Sequence, residues 1–489
     1  MMKTNSLDFD AQALREKILD LAMRGKLVKQ DPNDEPASAL LEKIKAEKAE
    51  LVKEKKIKKS KPLPEITDDE KPFHIPDSWK WVRGEDIVSL IGDGLHGTPV
   101  FSKEGVPFVN GSNLIDGKIS LTKSTKFVSE EEYLKYKKDL LPGTLFLSLN
   151  GTLGKVAKYH NEKIVLGKSA GYFSLIDVKM QDFIFYFLQS AIFKKYYDSK
   201  YTGSVIKNIP LKALRECIIP LPPLEEQSRI AAKIAQLFAL LRKVESSTQQ
   251  YAKLQSLLKS KVLDLAMRGK LVKQDPHDEP ASVLLEKIKA EKEQLIKEKK
   301  IKKSKPLPPI TDEEKPFELP DSWEWVRLGE VNTYIGKNIH PEKTPEQLFE
   351  LYSVPIYETN SPEITSGKEI KSNKQTVIPD DILLCKINPR INRVWRVGNY
   401  TNYKNIASTE WIVVRQSQLL PDYLRYVLMS PYFRKLLQSN VSGVGGSLTR
   451  AKPVLVKKYV IPIPPFSEQS KISLKIAHLF TLLNTDRYL

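Results

Sequence analysis

Residues 21–32 read LAMRGKLVKQDP, and residues 265–276 read the same twelve letters again. The match extends outward, so that residues 17–83 recur at 261–327 with 11 differences in 67 positions. A second repeat, shifted by 242 rather than 244, relates IPLPPLEEQS at 219–228 to IPIPPFSEQS at 461–470. In the middle of the chain the second element runs directly into the first, whereas at the ends the two are parted. Position 489 corresponds to 247, and position 1 to 245. The sequence therefore reads as two copies of one unit opened within a helix, which predicts a closed, pseudo-twofold molecule whose termini meet.

That helix is predicted over 225–272. Ile230, Leu237, Val244, Tyr251, Leu258 and Leu265 stand seven apart, with Ile234, Leu241 and Val262 interleaved, an a/d seam broken by Thr248 and Gln255. The chain ends spell the same seam in two pieces: Ile472, Ile476, Leu479 and Leu483, then Leu14, Ile18 and Leu21. Neither piece is long enough to be stable alone, so both are expected to lie end to end along the central helix as an antiparallel pair. After each helix comes QDPNDEP (30–36) or QDPHDEP (274–280), where proline is expected to stop one helix and an Asp cap to start the next. Lysine-rich arms follow. Residues 42–61 carry nine Lys against four Glu, as do residues 286–305. Such arms are either solvated helix faces or contacts for a subunit or a nucleic acid; Leu41, Ile44 and Leu51 give the first arm an apolar stripe to pack.

Between the repeats lie two divergent segments, 73–226 and 317–468, each opening with Pro-Asp-Ser-Trp. Both have short β-rich runs, such as those at 145–149 and 382–386, and then a helix, 183–195 or 423–435, sharing Tyr-x-x-x-Ser-x-x-Phe-(Lys/Arg)-Lys. A Gly/Ser-rich loop follows, at Thr202–Gly203–Ser204 and at 442–447. This is an α+β organisation in five parts: a helical region at 1–72, a globular α/β domain at 73–226, a central helix and arm at 227–316, a second α/β domain at 317–468, and a terminal half-helix at 469–489. Near-identical scaffolding around divergent domains suggests two readers held by one frame.

The net charge of +18 points to a polyanionic partner. No apolar run approaches the roughly 18 residues of a membrane span. The opening MMKTNSLDFD lacks a signal-peptide stretch, and the isolated Cys217 and Cys385 suit a reducing cytoplasm. The six histidines never fall at metal-ligand spacing, so no metal site is expected. Gly167–Lys168–Ser169 has Glu162 where a phosphate-binding loop needs its first glycine. Pro220–Leu221–Pro222–Pro223 lacks the polar residue that an amino-methyltransferase motif requires. After Asp380 and Asp381 no acid occurs until Glu410, so no nuclease carboxylate pair forms. No catalytic centre emerges. The DNA-contact candidates are Asn150, Thr152, Lys155, Thr202, Ser204, Lys207 and Asn208 in the first domain. In the second they are Lys386, Asn388, Arg390, Arg393, Arg396, Thr449, Arg450 and Lys452. Arg, Asn and Lys pair with base edges or phosphates, and these groups occupy corresponding loops.

Taken together, the repeated GKLVKQDPxDEPAS, the Pro-Pro-x-x-Glu-Gln helix entries, the GTLGK segment at 151–155 and the Thr-Gly-Ser loop resemble the specificity subunit of a type I restriction–modification enzyme. The resemblance covers nearly all 489 residues. It implies two target-recognition domains on long antiparallel coiled-coil spacer helices, each reading half of a split sequence in double-stranded DNA. It also implies two adenine methyltransferase subunits, which bring S-adenosylmethionine, and restriction or motor subunits that use ATP and Mg; no cofactor is expected on this chain. A free-standing coiled-coil DNA-binding or scaffold protein is the alternative, as is a reader for a system with fused methyltransferase and nuclease.

Overall fold

The structure, a computed structural model, describes residues 10–151, 153–202, 207–439, 441–442 and 449–484, the side chains of Ser442 and Asn484 excepted. Helix and strand are mixed along the chain, which divides into two compact units: one ends at Thr248 and the other begins at Gln249. The division falls inside the helix Leu224–Met267, so each unit owns one part of it.

The repeated letters mark a helix stop of a different kind from the one expected. The helices Ala11–Met23 and Leu224–Met267 end well before their prolines, at Gly25 and Gly269, both with φ +65°. Lys26 N–H donates to Leu21 O at 2.8 Å and Gly25 N–H to Ala22 O at 3.2 Å, and Lys270 and Gly269 repeat the pattern. This is a Schellman cap, which needs the left-handed residue that glycine supplies without strain. A Cβ on Gly25 would stand 2.6 Å from Pro76 Cγ. The next helix, Ala37–Lys53, starts from Pro36 without a side-chain cap, correcting the expected Asp; Ala37 N–H instead donates to Ser78 O at 2.9 Å.

In the unit ending at Thr248, an antiparallel sheet runs in the order Val88–Asp93, Ala170–Leu175, Thr144–Ser148, Val156–Lys158. Its strands are apolar on both faces because one packs on helices and the other on a second small sheet. The domain is closed at its base by the antiparallel pair Lys80–Arg83 and Ile218–Leu221. The unit beginning at Gln249 is built alike at its base, where Glu324–Arg327 pairs with Val460–Ile463. Above that pair lie a three-stranded sheet centred on Ile382–Cys385 and a five-stranded sheet. Scaffold and reader share one interior. Leu19, Met23, Leu40, Ile44, Ile230 and Ile234 belong to the same core as Phe173, Phe183 and Phe187.

Two expectations about helices change. The single helices foreseen at 183–195 and 423–435 are each broken in two, as Gln181–Phe187 with Ala191–Asp198 and Pro421–Met429 with Pro431–Ser439. The break is the shared serine: Ser190 Oγ donates to Phe187 O at 2.7 Å and Ser430 Oγ to Val427 O at 2.6 Å, both fully buried. The seam also drifts. Val244, Tyr251 and Leu258 are 44%, 40% and 51% exposed, whereas Glu245 pairs with Arg15 at 2.5 Å and Gln255 Nε2 donates to Leu483 O. A straight helix slips by about 20° per heptad against a 3.5-residue repeat, which turns the a positions outward over this length.

Each linker after a lysine arm is tied to its domain by one buried arginine. Arg83 donates to Pro64 O, Glu65 O and Glu216 O and forks onto Glu70 at 2.8 and 2.9 Å. Arg327 does the same with Pro308 O, Pro309 O, Lys458 O and Glu314. The guanidiniums hold Glu70 and Glu314 down at about 2.

Gly25→Ala should destabilise the chain by about 1–2 kcal/mol from the left-handed backbone alone, and by more from the Pro76 contact. Gly97→Ala, with nothing within 4 Å of the added carbon, should be near neutral in the same urea titration. The Glu70 and Glu314 pairs stabilise above the unfolded carboxylate value of about 4.3, and their contribution is lost as pH falls toward the folded value near 2. Between pH ~5 and ~2 the unaltered chain should therefore lose more stability than the Glu70→Gln/Glu314→Gln double variant; equal losses would contradict the assignment.

Candidate nucleic-acid interface

The loop that leaves the central strand Thr144–Ser148 turns at Gly151 and Gly154, both with positive φ. It meets the segment following the Thr-Gly-Ser loop. Asn150 bridges to Asn208, Asn208 and Thr202 exchange backbone hydrogen bonds at 2.9 Å, and Ile209 N–H reaches Leu149 O at 2.8 Å. Loops more than fifty residues apart in sequence thus form one surface that presents Asn150, Lys155, Thr202, Lys207 and Asn208. Lys207 and Thr202 are exposed, and the Lys207 ammonium lies 4.2 Å from the centre of the Tyr201 ring. Thr152 and Ser204 lie outside the described residues.

The second unit makes the same junction. Ile387 bridges to Arg450, Asn388 N–H donates to Thr449 O at 2.9 Å, and Ala451 N–H donates to Lys386 O at 2.9 Å. Asn388 and Asn392 take positive φ, which lets the segment between them turn back on itself. Arg390 is exposed, with its carbonyl held by Arg434 Nε at 2.9 Å. Arg393 lines a cavity of about 430 Å³ beside Glu410 and Lys374. Lys452 is exposed at the start of the short helix Pro453–Val456. Arg450 reaches Glu410 at 3.2 Å.

Arg396 stands apart from this group. It binds Asp380 at 2.7 Å and Asp422 at 2.7 Å, tying a strand to the helix Pro421–Met429. Its guanidinium is thus held by two carboxylates of its own unit. The segments set aside in the sequence have structural roles. Ser169 of Gly167–Lys168–Ser169 accepts from Gly111 N–H and donates to Asn110. The Pro-Pro motifs run through buried backbone, where Gln227 and Gln469 donate to Pro222 O and Pro464 O. Asp381 forks onto Arg415 at 2.6 Å. Among the described residues no group of three His, Cys, Asp or Glu side chains could hold a metal, and no helix is long and apolar enough to cross a membrane.

Sequence reading missed the residues that hold these surfaces in place. Trp79 Nε1–H donates to Glu226 at 2.9 Å and Gln30 Nε2–H at 2.6 Å; Trp323 and Gln274 meet Glu468 at 2.9 and 2.7 Å. Burial raises both carboxyls above their ordinary value. The signal was present, since all three residue types recur in both repeats.

A family model described as "Type I restriction modification DNA specificity domain" matches residues 76–255 and 320–487. The specificity subunit of the type I restriction enzyme EcoAI from Escherichia coli is 32% identical over 98% of this chain and 91% of its own length. That of EcoEI, also from Escherichia coli, is 30% identical over 96% of this chain and 89% of its own. A chain from a solved structure described for complex assembly and conformational transition of the type I R-M system aligns with a TM-score of 0.53. It shares 18% identity and covers 85% of this chain and 93% of its own, a likeness of fold.

Arg390→Ala should leave the urea midpoint unchanged and weaken duplex binding by about 1–3 kcal/mol if the side chain meets a base edge. Arg396→Ala should instead lower stability by up to about 1 kcal/mol, the range of exposed ion pairs. The reverse pattern would exchange their roles.

Proposed function

The chain belongs to the type I restriction–modification DNA specificity family, and from that membership we propose that each of its two units reads one half of a split sequence in double-stranded DNA. The chain is the specificity subunit of such a system and a non-catalytic component of it. One observation carries the two-reader proposal. Each unit is a cassette closed by paired strands, with two distant loops joined into one polar surface at Asn150–Asn208 and at Asn388–Thr449. Asn, Arg and Lys on such loops supply base-edge and phosphate contacts, and divergence between the units gives each its own half-word.

Two adenine methyltransferase subunits, carrying S-adenosylmethionine, act on the bound word. Restriction subunits supply ATP- and Mg-dependent cleavage. The long helix Leu224–Met267, with Ala11–Met23 and Phe466–Asn484 as antiparallel coiled-coil partners, forms the spacer in a closed pseudo-twofold arrangement. It fixes the gap between the half-words. The complex works in the cytoplasm, where its DNA lies. A free-standing DNA-binding scaffold would purify without methyltransferase subunits, which separates that reading.

Exchange of residues 84–218 for the matching segment of another such subunit leaves Lys80–Val82 with Ile219–Leu221 and the Trp79–Gln30–Glu226 contacts in place. Methylation-aware sequencing of DNA from cells carrying the hybrid should show one half of the methylated word changed and the other retained. A change in both halves, or in neither, would refute independent readers.

A further inference from the structure

We infer that a basic cleft in the unit ending at Thr248 is a sequence-independent seat for the DNA backbone beside the first half-word; this rests on the function proposed above. The cleft, about 1060 Å³, lies between the helix Ala11–Met23, the first part of the long helix and the sheet edge Val156–Lys158. Its side chains do one kind of chemistry. Arg15, Lys118, Lys155, Lys158 and Arg242 line it, and Asp116 is the single acid among its described lining residues.

Two of those cations are committed, Arg15 to Glu245 and Lys158 to Asp182. Lys118, Lys155 and Arg242 make no ion pair within 4 Å among the described residues. They come from three separate segments, so positive charge faces the cleft from several sides. The floor is aromatic: Tyr186 meets Phe238 edge to face at 5.9 Å, and the Lys158 ammonium lies 4.8 Å from the Phe185 ring centre. A concave surface of donors with unpaired charge suits a phosphodiester strand, which offers only acceptors. Lys155 also belongs to the loop that carries Asn150, so a duplex touching that loop has its backbone led into the cleft.

The second half of the chain repeats part of this wall. Tyr426 and Phe480 meet at 6.0 Å, and Arg396 pairs with Asp422, as Tyr186 with Phe238 and Lys158 with Asp182. The 242-residue shift, however, sets Asn484 opposite Arg242. Asparagine at this place is thus the chain's own alternative, and Arg242→Asn is a mild test of charge.

The test uses the full chain in complex with its methyltransferase subunits, binding a duplex with its methylated word and an unrelated duplex across a salt series. In Lys118→Gln/Lys155→Gln/Arg242→Asn, the slope of log K against log salt should become shallower by about 0.9 per charge removed, and affinity should fall by the same factor for both duplexes. Arg242→Lys should keep the original slope. An unchanged slope in the triple variant, or a loss confined to the cognate duplex, would overturn the proposal. So would failure of the triple variant to assemble while Arg242→Lys assembles normally, because that would make the cleft a protein contact. If the unaltered complex preferred neither duplex, the reading of function would fail instead, and the salt slopes would still report on the cleft.

Discussion

A buried carboxylate in each half, Glu226 or Glu468, is the constraint on which the arrangement depends. It accepts from a tryptophan that opens the reader and from a glutamine that follows a helix end. Three segments remote in sequence meet on its two oxygens, away from water. An unmatched donor in such a place costs about 1–3 kcal/mol, so none of the partners can change alone. This is why LVKQDP, PDSW and the Glu-Gln helix entry recur together while the reader interiors do not. The interiors answer only to volume and apolarity, which many sequences satisfy.

Much of the frame could be read from letters alone because these fixed contacts repeat. The central strands and the long helix follow from ordinary patterning, and the near-identity of 17–83 with 261–327 marks the two halves. Other features were hidden. Heptad counting assumes 3.5 residues per turn, so it kept Val244, Tyr251 and Leu258 on a seam that a straight helix rotates away from them. Proline was credited with a helix stop that Gly25 makes earlier, and the buried Ser190 breaks a helix whose apolar pattern runs on through it. The candidate loops were recognisable by composition, yet the meeting of Asn150 with Asn208 depends on pairing across the fold. Arg396 looked like its neighbours because Asp422, which holds it, lies 26 positions away.

Charge is distributed in the same spirit. One lysine of each arm is taken up by the fold: Lys48 reaches Glu85 O, and Lys292 donates to Gly329 O and Glu330 O at 2.8 Å. The arms also pack through Leu40 with Ile44 and through Leu284 with Ile288. They are therefore supports first, with most of their lysines left to solvent. The loops and the first-unit cleft place fewer cations, but they place them on concave or joined surfaces where a partner can approach several at once.

The strand pair at the base of each reader also governs the order of events on the ribosome. Lys80 pairs with Leu221, and the core that receives Leu19 and Ile44 is completed by Ile230 and Ile234. The apolar faces of the first two helices must wait, uncovered, until well over a hundred further residues have emerged. Contacts so distant in sequence form slowly, because loop closure precedes any reward. The second half poses the same problem, since Val326 pairs with Ile461. There Ile472 and Ile476 of the helix Phe466–Asn484 complete the core begun by Trp323 and Val326, again more than a hundred residues later in the chain. Each half therefore keeps apolar helix faces uncovered during synthesis until the segment that completes its core has emerged.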